Sequence, residues 1–517
     1  MHAIDFSAVR TPGRYQICVD TIGCSTSVTI AATSTWRRAA VTVARSMFQQ
    51  RSGIALTEPF TAVTHPAAFT AAGGTAFHQT DLTMVDDPSN VGVDDRFDEY
   101  GEHVVGEVAV DASGGHFDAG DWNSRIQHLA YLDAALDLVR LYPSTFADLD
   151  LDIPESGNAI PDLIDEGLWD LDQFMRLQTA DGGIPGNVDQ GRFGNGDETS
   201  WDNEIDVYVF APDVWSTYIY ASAAAQAATV LRDDDATRAA GYAASAGKAM
   251  AWAEAQWAAA PAATRTSLDG DVEPQRAAAA AAMLQLTGDR SWNDVFADAS
   301  TFDTAAADSL DCPGPTCDAA WLYAMADQSL TDPTMRSNSI ASIRNNADKV
   351  LAGQQTTAFG WAVDYPGAPF VYGLGPSIPH GVGLLRAFVL TGDERYRTAA
   401  VQSASFSLGG NPLNTSFATG LGTNPTRHPL IVDAQHGALP VWPGTFVYGI
   451  DDLGLSADDD WVDTSFLKPA GLTPPANAVP LLWSWYDVGP FPMMNEFTVQ
   501  QSHAVALWTL GVLAATT

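Results

Sequence analysis

Helix-length segments recur through most of this 517-residue chain, at roughly 36–50, 124–142, 159–179, 213–232, 236–259, 273–287, 316–329, 334–353, 379–391, 394–408 and 498–514. Many are alanine-rich on one side and bulky on the other, as in Leu163, Leu168, Leu171, Phe174 and Met175. Alanine faces let helices approach closely, so such segments are expected to nest into a toroid. The scaffold is then helical, and loops at one end build the site. The loops at 181–204, 358–378 and 410–450 carry Gly, Trp and Asp and are the candidates. The repeated Leu-Thr-Gly-Asp at 286–289 and 390–393 reads as a helix end with a glycine cap.

Residues 1–31 behave differently. Tyr15, Ile17, Val19, Val28 and Ile30 alternate with polar positions, as strands do. Thirty residues cannot bury a sandwich alone, so 1–31 is expected to be the remnant of an immunoglobulin-like β-domain, with 35–517 as the catalytic domain. The opening reads as the middle of a β-domain, without a basic and apolar leader, and further natural chain upstream is expected. The stretch 51–122 shows little periodicity, and a loop that long is usually functional.

A formal charge of -38 argues against nucleic acid or an anionic membrane as partner, because phosphates would be repelled. No apolar run reaches the roughly 20 residues a membrane span needs. The cysteines form two close pairs, Cys18/Cys24 and Cys312/Cys317, which suit local disulfides in a secreted, extracellular protein. Neither pair has the extra ligands that zinc would require. The acidic loop holding Asp197, Glu198, Asp202 and Glu204 is a candidate for a structural calcium, and equally a solvated surface loop.

Chemistry points to Ser113-Gly114-Gly115-His116-Phe117-Asp118-Ala119-Gly120-Asp121-Trp122. Glycines let the backbone bend so that Asp118 and Asp121 can converge, and two close acids can hold and polarise water. The same D-x-x-D can also serve as a turn that starts the next helix. Near the other end, Glu496 follows an apolar lead-in, Pro490-Phe491-Pro492-Met493-Met494-Asn495. Such surroundings raise a carboxyl's pKa and suit it to donate a proton, although a helix-capping role is as good a reading of Glu496 alone. Glu166, on a helix, reads as a surface or packing residue.

Taken in order, these pieces resemble glycoside hydrolase family 9, inverting β-glucanases on an (α/α)6 barrel often preceded by an immunoglobulin-like domain. Residues 113–121 are similar to the family's S-G-G-W-Y-D-A-G-D, and Ile160-Pro161-Asp162-Leu163-Ile164-Asp165-Glu166 to I-P-D-L-L-D-E. Leu177-Gln178 with Asp181-Gly182-Gly183 resembles M-Q…D-G-G, Leu408-Gly409-Gly410-Asn411-Pro412 resembles L-G-x-N-P, and Asn495-Glu496 resembles the terminal N-E. Asp487 stands at the family's spacing before Glu496. The resemblance implies Asp121 as general base, Asp118 as a ligand of the attacking water and Glu496 as general acid, with no cofactor for the chemistry. Trp122, Trp201, Trp361, Trp442 and Tyr448 lie in candidate loops and are expected to stack on sugars, and His116, beside the acids, is a further candidate to bind substrate.

One departure matters. After Gly420-Leu421-Gly422-Thr423-Asn424-Pro425, the family shows P-H-H-R, whereas this chain reads Pro429-Leu430-Ile431-Val432. Arg427 and His428, just upstream, are the candidates to replace the lost sugar contacts. The expected activity is inverting endo-β-1,4-glucanase action on cellulose or a related β-glucan by a monomer. An exo-acting β-glucosidase or exo-β-glucosaminidase on the same barrel is the alternative, and a carbohydrate-binding barrel without turnover is the non-enzymatic one.

Overall fold

The computed structural model describes residues 6, 8–31, 35–93, 96–118, 122–193, 197–363, 379–450, 479–489 and 492–516. Helices dominate: α1 (Thr35–Met47), α2 (Leu129–Leu141), α3 (Asp162–Leu177), α4 (Val214–Val230), α5 (Ala236–Ala259), α6 (Ala262–Thr287), α7 (Trp292–Asp298), α8 (Pro315–Met325), α9 (Pro333–Gln354), α10 (Pro379–Thr391), α11 (Glu394–Ser407) and α12 (Val505–Thr516).

The contacts define an (α/α)6 barrel. Helices α2, α4, α6 and α8 pack successively, and α10, α12 and α2 close the ring. Arg386 of α10 bridges to Asp318 of α8 at 2.6 Å. Helices α1, α3, α5, α7, α9 and α11 lie outside, against α12, α2, α4, α6, α8 and α10 respectively. The inner members α4 and α12 are apolar nearly all round, as helices covered on every side must be. Small residues set the spacing. A Cβ on Gly167 of α3 would lie 2.8 Å from Leu132 Cα of α2.

The abundance of Asp has a structural use. Asp213, Asp235, Asp332 and Asp393 cap α4, α5, α9 and α11 by accepting backbone N–H bonds. Asp87, Asp111, Asp289 and Asp327 each accept the N–H of a serine two residues on. Glutamate is too long for either job. Gly288 and Gly392 end α6 and α10 at positive φ, as the repeated Leu-Thr-Gly-Asp predicts.

The long stretch after α1 is not featureless. Its segments and the loop after α3 build a five-stranded sheet: β1 (Phe77–Thr80), β2 (Val104–Glu107), β3 (Ser124–Arg125), β4 (Asn187–Gln190) and β5 (Val207–Val209). The order is β2-β1-β5-β4-β3, with β1 and β5 parallel. Strands this short, drawn from distant segments, show no alternation to read. In residues 8–31 two separate antiparallel pairs form, Gly13–Tyr15 with Val28–Ile30 and Cys18–Val19 with Gly23–Cys24. Both expected disulfides are present, Cys18–Cys24 and Cys312–Cys317.

Candidate active site

The Gly114-Gly115 turn has positive φ at both glycines, +118° and +73°. A Cβ at Gly115 would stand 2.1 Å from Ser124 Oγ, so the turn presses against β3 because it has no side chain there. Two backbone bonds hold it to the chain after α1. Ser52 N–H donates to Gly115 O at 2.8 Å, and Phe117 N–H donates to Gln50 O at 3.0 Å.

Asp118 is buried behind this turn. Its Oδ1 accepts the Val499 N–H at 2.7 Å, and its Oδ2 lies 3.2 Å from His128 Nε2. Burial alone would raise its pKa. The charge of His128, contact with its ring, the Val499 amide and Arg125 outweigh that and hold the carboxyl below its ordinary value. Asp121 lies outside the described residues.

Val499 opens a single π-helical turn, Val499–Ala504, three residues beyond Glu496. Three residues span at most about 10 Å, so the Glu496 backbone lies within that reach of Val499, whose N–H Asp118 accepts. Glu496 is half-buried, and its carbonyl accepts the Tyr448 N–H at 2.9 Å. Its neighbours are fixed on both sides. Leu430 N–H donates to Asn495 O at 2.7 Å, and Asn495 Nδ2 donates to the carbonyls of Tyr486 and Val488. Phe497 packs with Val63, Ile431, Ala434 and Trp442.

Asp487 organises the segment where the P-H-H-R pattern is lost. Its carboxylate accepts the Thr426 hydroxyl at 2.9 Å, the Arg427 N–H at 2.9 Å and the His428 N–H at 2.9 Å. The Arg427 and His428 side chains are exposed on that turn, two residues before the Leu430–Asn495 bond. The acidic loop reaches the same region. Ser200 donates to Asp433 through its N–H and its hydroxyl, and His436 contacts the carbonyl of Glu198.

His116 does not face a sugar. It is fully buried, with Nδ1 2.7 Å from Asp170 Oδ2 and Nε2 2.8 Å from Glu166 Oε1. Both nitrogens are spent on carboxylates. Burial opposes its charge, but Asp170 and Glu166 prevail and push it up to about 9. Glu166 is accordingly not a surface residue. Arg51 bonds it through Nε at 2.9 Å and reaches Glu155 at 3.0 Å. Sequence reading missed this network because Arg51, His116 and Asp170 lie on three separated segments.

The aromatic candidates divide. Trp122 is buried against Phe69, and Trp442 is buried in the Phe497 cluster. Tyr448 is buried with its hydroxyl donating to Gln501. These three rings are packing elements rather than open platforms. Trp201 is half-buried and stacks on His65 with centroids 4.5 Å apart, and Trp361 is half-buried near Phe406. Trp483, not singled out from sequence, is 58% exposed. The alternating Trp483-Ser484-Trp485 was the available signal, and Trp485 is the member that packs, against Phe417.

The acidic loop does not assemble a cation cage among the described residues. No group of three or more His, Cys, Asp or Glu side chains there is arranged to hold a metal. Glu198 instead pairs with Arg192 through both oxygens at 2.7 Å. No helix among the described residues is long and apolar enough to cross a membrane.

Comparison with known proteins agrees with this architecture. The chain is 25% identical over 452 residues to a xyloglucan-specific endo-β-1,4-glucanase of Bacteroides ovatus, covering 82% of this chain and 72% of that one. It is 24% identical over 484 residues to endoglucanase D of Acetivibrio thermocellus, covering 90% and 71%. A crystal structure of a metagenome-derived glycoside hydrolase family 9 endoglucanase superposes with a TM-score of 0.78 at 25% identity, over 99% of this chain and 86% of the other. Residues 36–466 match the model of glycosyl hydrolase family 9. By that match the chain belongs to glycosyl hydrolase family 9 and is a glycosidase that hydrolyses O-glycosyl bonds.

Proposed function

We propose that this glycosidase is an endo-acting, inverting β-1,4-glucanase whose acid is Glu496 and whose base is Asp121, with Asp118 holding the attacking water. The observation that carries the reading is the Val499–Asp118 bond, which seats the segment after Glu496 on the Asp118 turn. Family 9 relatives with endoglucanase activity lend the substrate class.

The chemistry balances in one displacement. Asp121 takes a proton from water as its oxygen attacks the anomeric carbon, while Glu496 gives its proton to the departing glycosidic oxygen. Inversion needs room for that water, which corresponds to carboxyls about 6.5–9.5 Å apart. The limit of about 10 Å on the Glu496–Val499 span is compatible with such a gap. Exposure of Arg427 and His428 on the turn held by Asp487 supports a role for them in contacting the sugar where the family's His and Arg are missing, and half-buried Trp201 and Trp361 are the remaining stacking candidates.

Export belongs to the same reading, since two disulfides formed within short loops suit an oxidising compartment. Proton NMR of fresh cellohexaose digests tests the mechanism. Initial release of the α-anomer from internal bonds is expected. Initial β-anomer, or release of monosaccharide alone, would refute inversion or endo action respectively.

A further inference from the structure

His128 sits on the short 3-10 turn that leads into α2 and is buried. Its two ring nitrogens face two acceptors. Nδ1 lies 3.1 Å from the carbonyl oxygen of His116, and Nε2 lies 3.2 Å from Asp118 Oδ2. Neither a carbonyl nor an ionised carboxylate has a proton to offer. The Nδ1 contact is a hydrogen bond, whereas Nε2 approaches the carboxylate by distance without hydrogen-bond alignment. A neutral ring donating from Nδ1 would leave the Nε2 lone pair buried beside an anionic oxygen, and the imidazolium replaces that repulsion with attraction between opposite charges.

His116, on the same turn, follows the same rule. Both its nitrogens face carboxylates, and its peptide N–H donates to Asp170 at 2.9 Å. Below it Arg51 lies between Glu166 and the partly exposed Glu155. Opposite charges therefore alternate from Glu155 inward to His116, and the His116 carbonyl hands the column on to His128 and Asp118. Where the family motif has tryptophan, this chain has the histidine that anchors the column.

We propose that His128 is the positioning residue for Asp118: as an imidazolium held by the His116 carbonyl, it fixes that carboxylate as an anion turned toward the attacking water. This rests on the reading that Asp118 serves the water. Other groups around His128 set its proton affinity. Burial and Arg125 oppose the cation, Asp118 and Asp170 favour it, and the balance lies above the ordinary histidine value. His503, on the π-helical turn, is pushed down to about 4 by burial and stays neutral. Helices α4 and α12 carry no charged residue, and the next acid on α2 is Asp133.

The role predicts an alkaline limb. As pH rises and Nε2 loses its proton, a lone pair faces Asp118 Oδ2 and the carboxylate loses its anchor. Turnover should fall while substrate binding changes little.

The test compares kcat and KM across pH for wild type, His128→Gln, His128→Ala and Asp118→Asn on an aryl cellobioside with a good leaving group, whose cleavage does not need the Glu496 proton and so carries no alkaline limb from that acid. His128→Gln keeps an uncharged N–H toward Asp118, so it should retain measurable turnover and lose the alkaline limb. His128→Ala should lower kcat at least about tenfold with KM within about twofold. Histidine ¹⁵N shifts of the wild type supply a readout independent of folding in the variants. They should show His116 and His128 doubly protonated at pH 6.5 and His503 neutral. An unchanged limb in His128→Gln, or a neutral His128 at pH 6.5, would overturn the proposal. Full activity in Asp118→Asn would instead overturn the reading on which it rests.

Discussion

The backbone N–H of Val499 donates to Asp118 Oδ1 at 2.7 Å across 381 positions of sequence. That bond joins the last inner helix to the glycine turn near the start of the barrel. In the proposed reading the same bond ties closure of the ring to the placing of Asp118, so a change that loosens α12 should disturb the chemistry before it unfolds the scaffold.

Stability should depend on pH through His116. Its folded value is raised to about 9 from 6.5. A raised value means that its contribution is complete below about pH 6.5 and is lost as pH climbs through 9. The size is about 3 kcal/mol. Glu166 is shifted the other way. Burial raises it, but Arg51 and His116 prevail and lower it, so its share is lost as pH falls through its folded value. Thermal unfolding followed from pH 5 to 10 should show a midpoint falling above neutrality, and His116→Gln should flatten that fall. A midpoint that rises steadily to pH 10 would contradict the buried cation.

Arg51 lies fully buried between two glutamates, over the rings of Phe48 and Trp169. Arg51→Met keeps much of the volume and leaves Glu166 with one cation fewer. Removing one partner of a buried pair costs about 3–5 kcal/mol. Denaturant unfolding should give a loss of that order, with Glu166→Gln in the same background restoring part of it. A loss below about 1 kcal/mol would place the pair in the ordinary surface class.

Gly167 marks the closest approach of α3 to α2. Its missing Cβ would stand 2.8 Å from Leu132 Cα, a contact with backbone that cannot swing aside. Gly167→Ala improves helix propensity and should still destabilise, by about 1–3 kcal/mol. A stabilised variant in equilibrium unfolding would show that the helix pair has slack.

Much of the scaffold could be read from helical period. The expectation for 236–259 coincides with α5, and 379–391 coincides with α10. Expectation and structure part where partners are distant. The segment 273–287 is the second half of a helix that starts at Ala262, whose first turns are polar and exposed. The five-stranded sheet escaped because two-to-four-residue strands carry no pattern. His116 was expected beside a sugar and is buried, because Glu166 and Asp170 fold onto it from α3. His128 and His503 were visible only as histidines inside apolar helical runs, and nothing local said what they face.

The most direct measurement is the turnover of Glu496→Gln on two substrates, cellohexaose and an aryl cellobioside with a good leaving group. Loss of proton donation should cut kcat on cellohexaose by about 10²–10⁴-fold, spare much of the aryl reaction, and leave the unfolding midpoint in place. Near wild-type turnover on cellohexaose would contradict the account, because the leaving oxygen would then take its proton from another group.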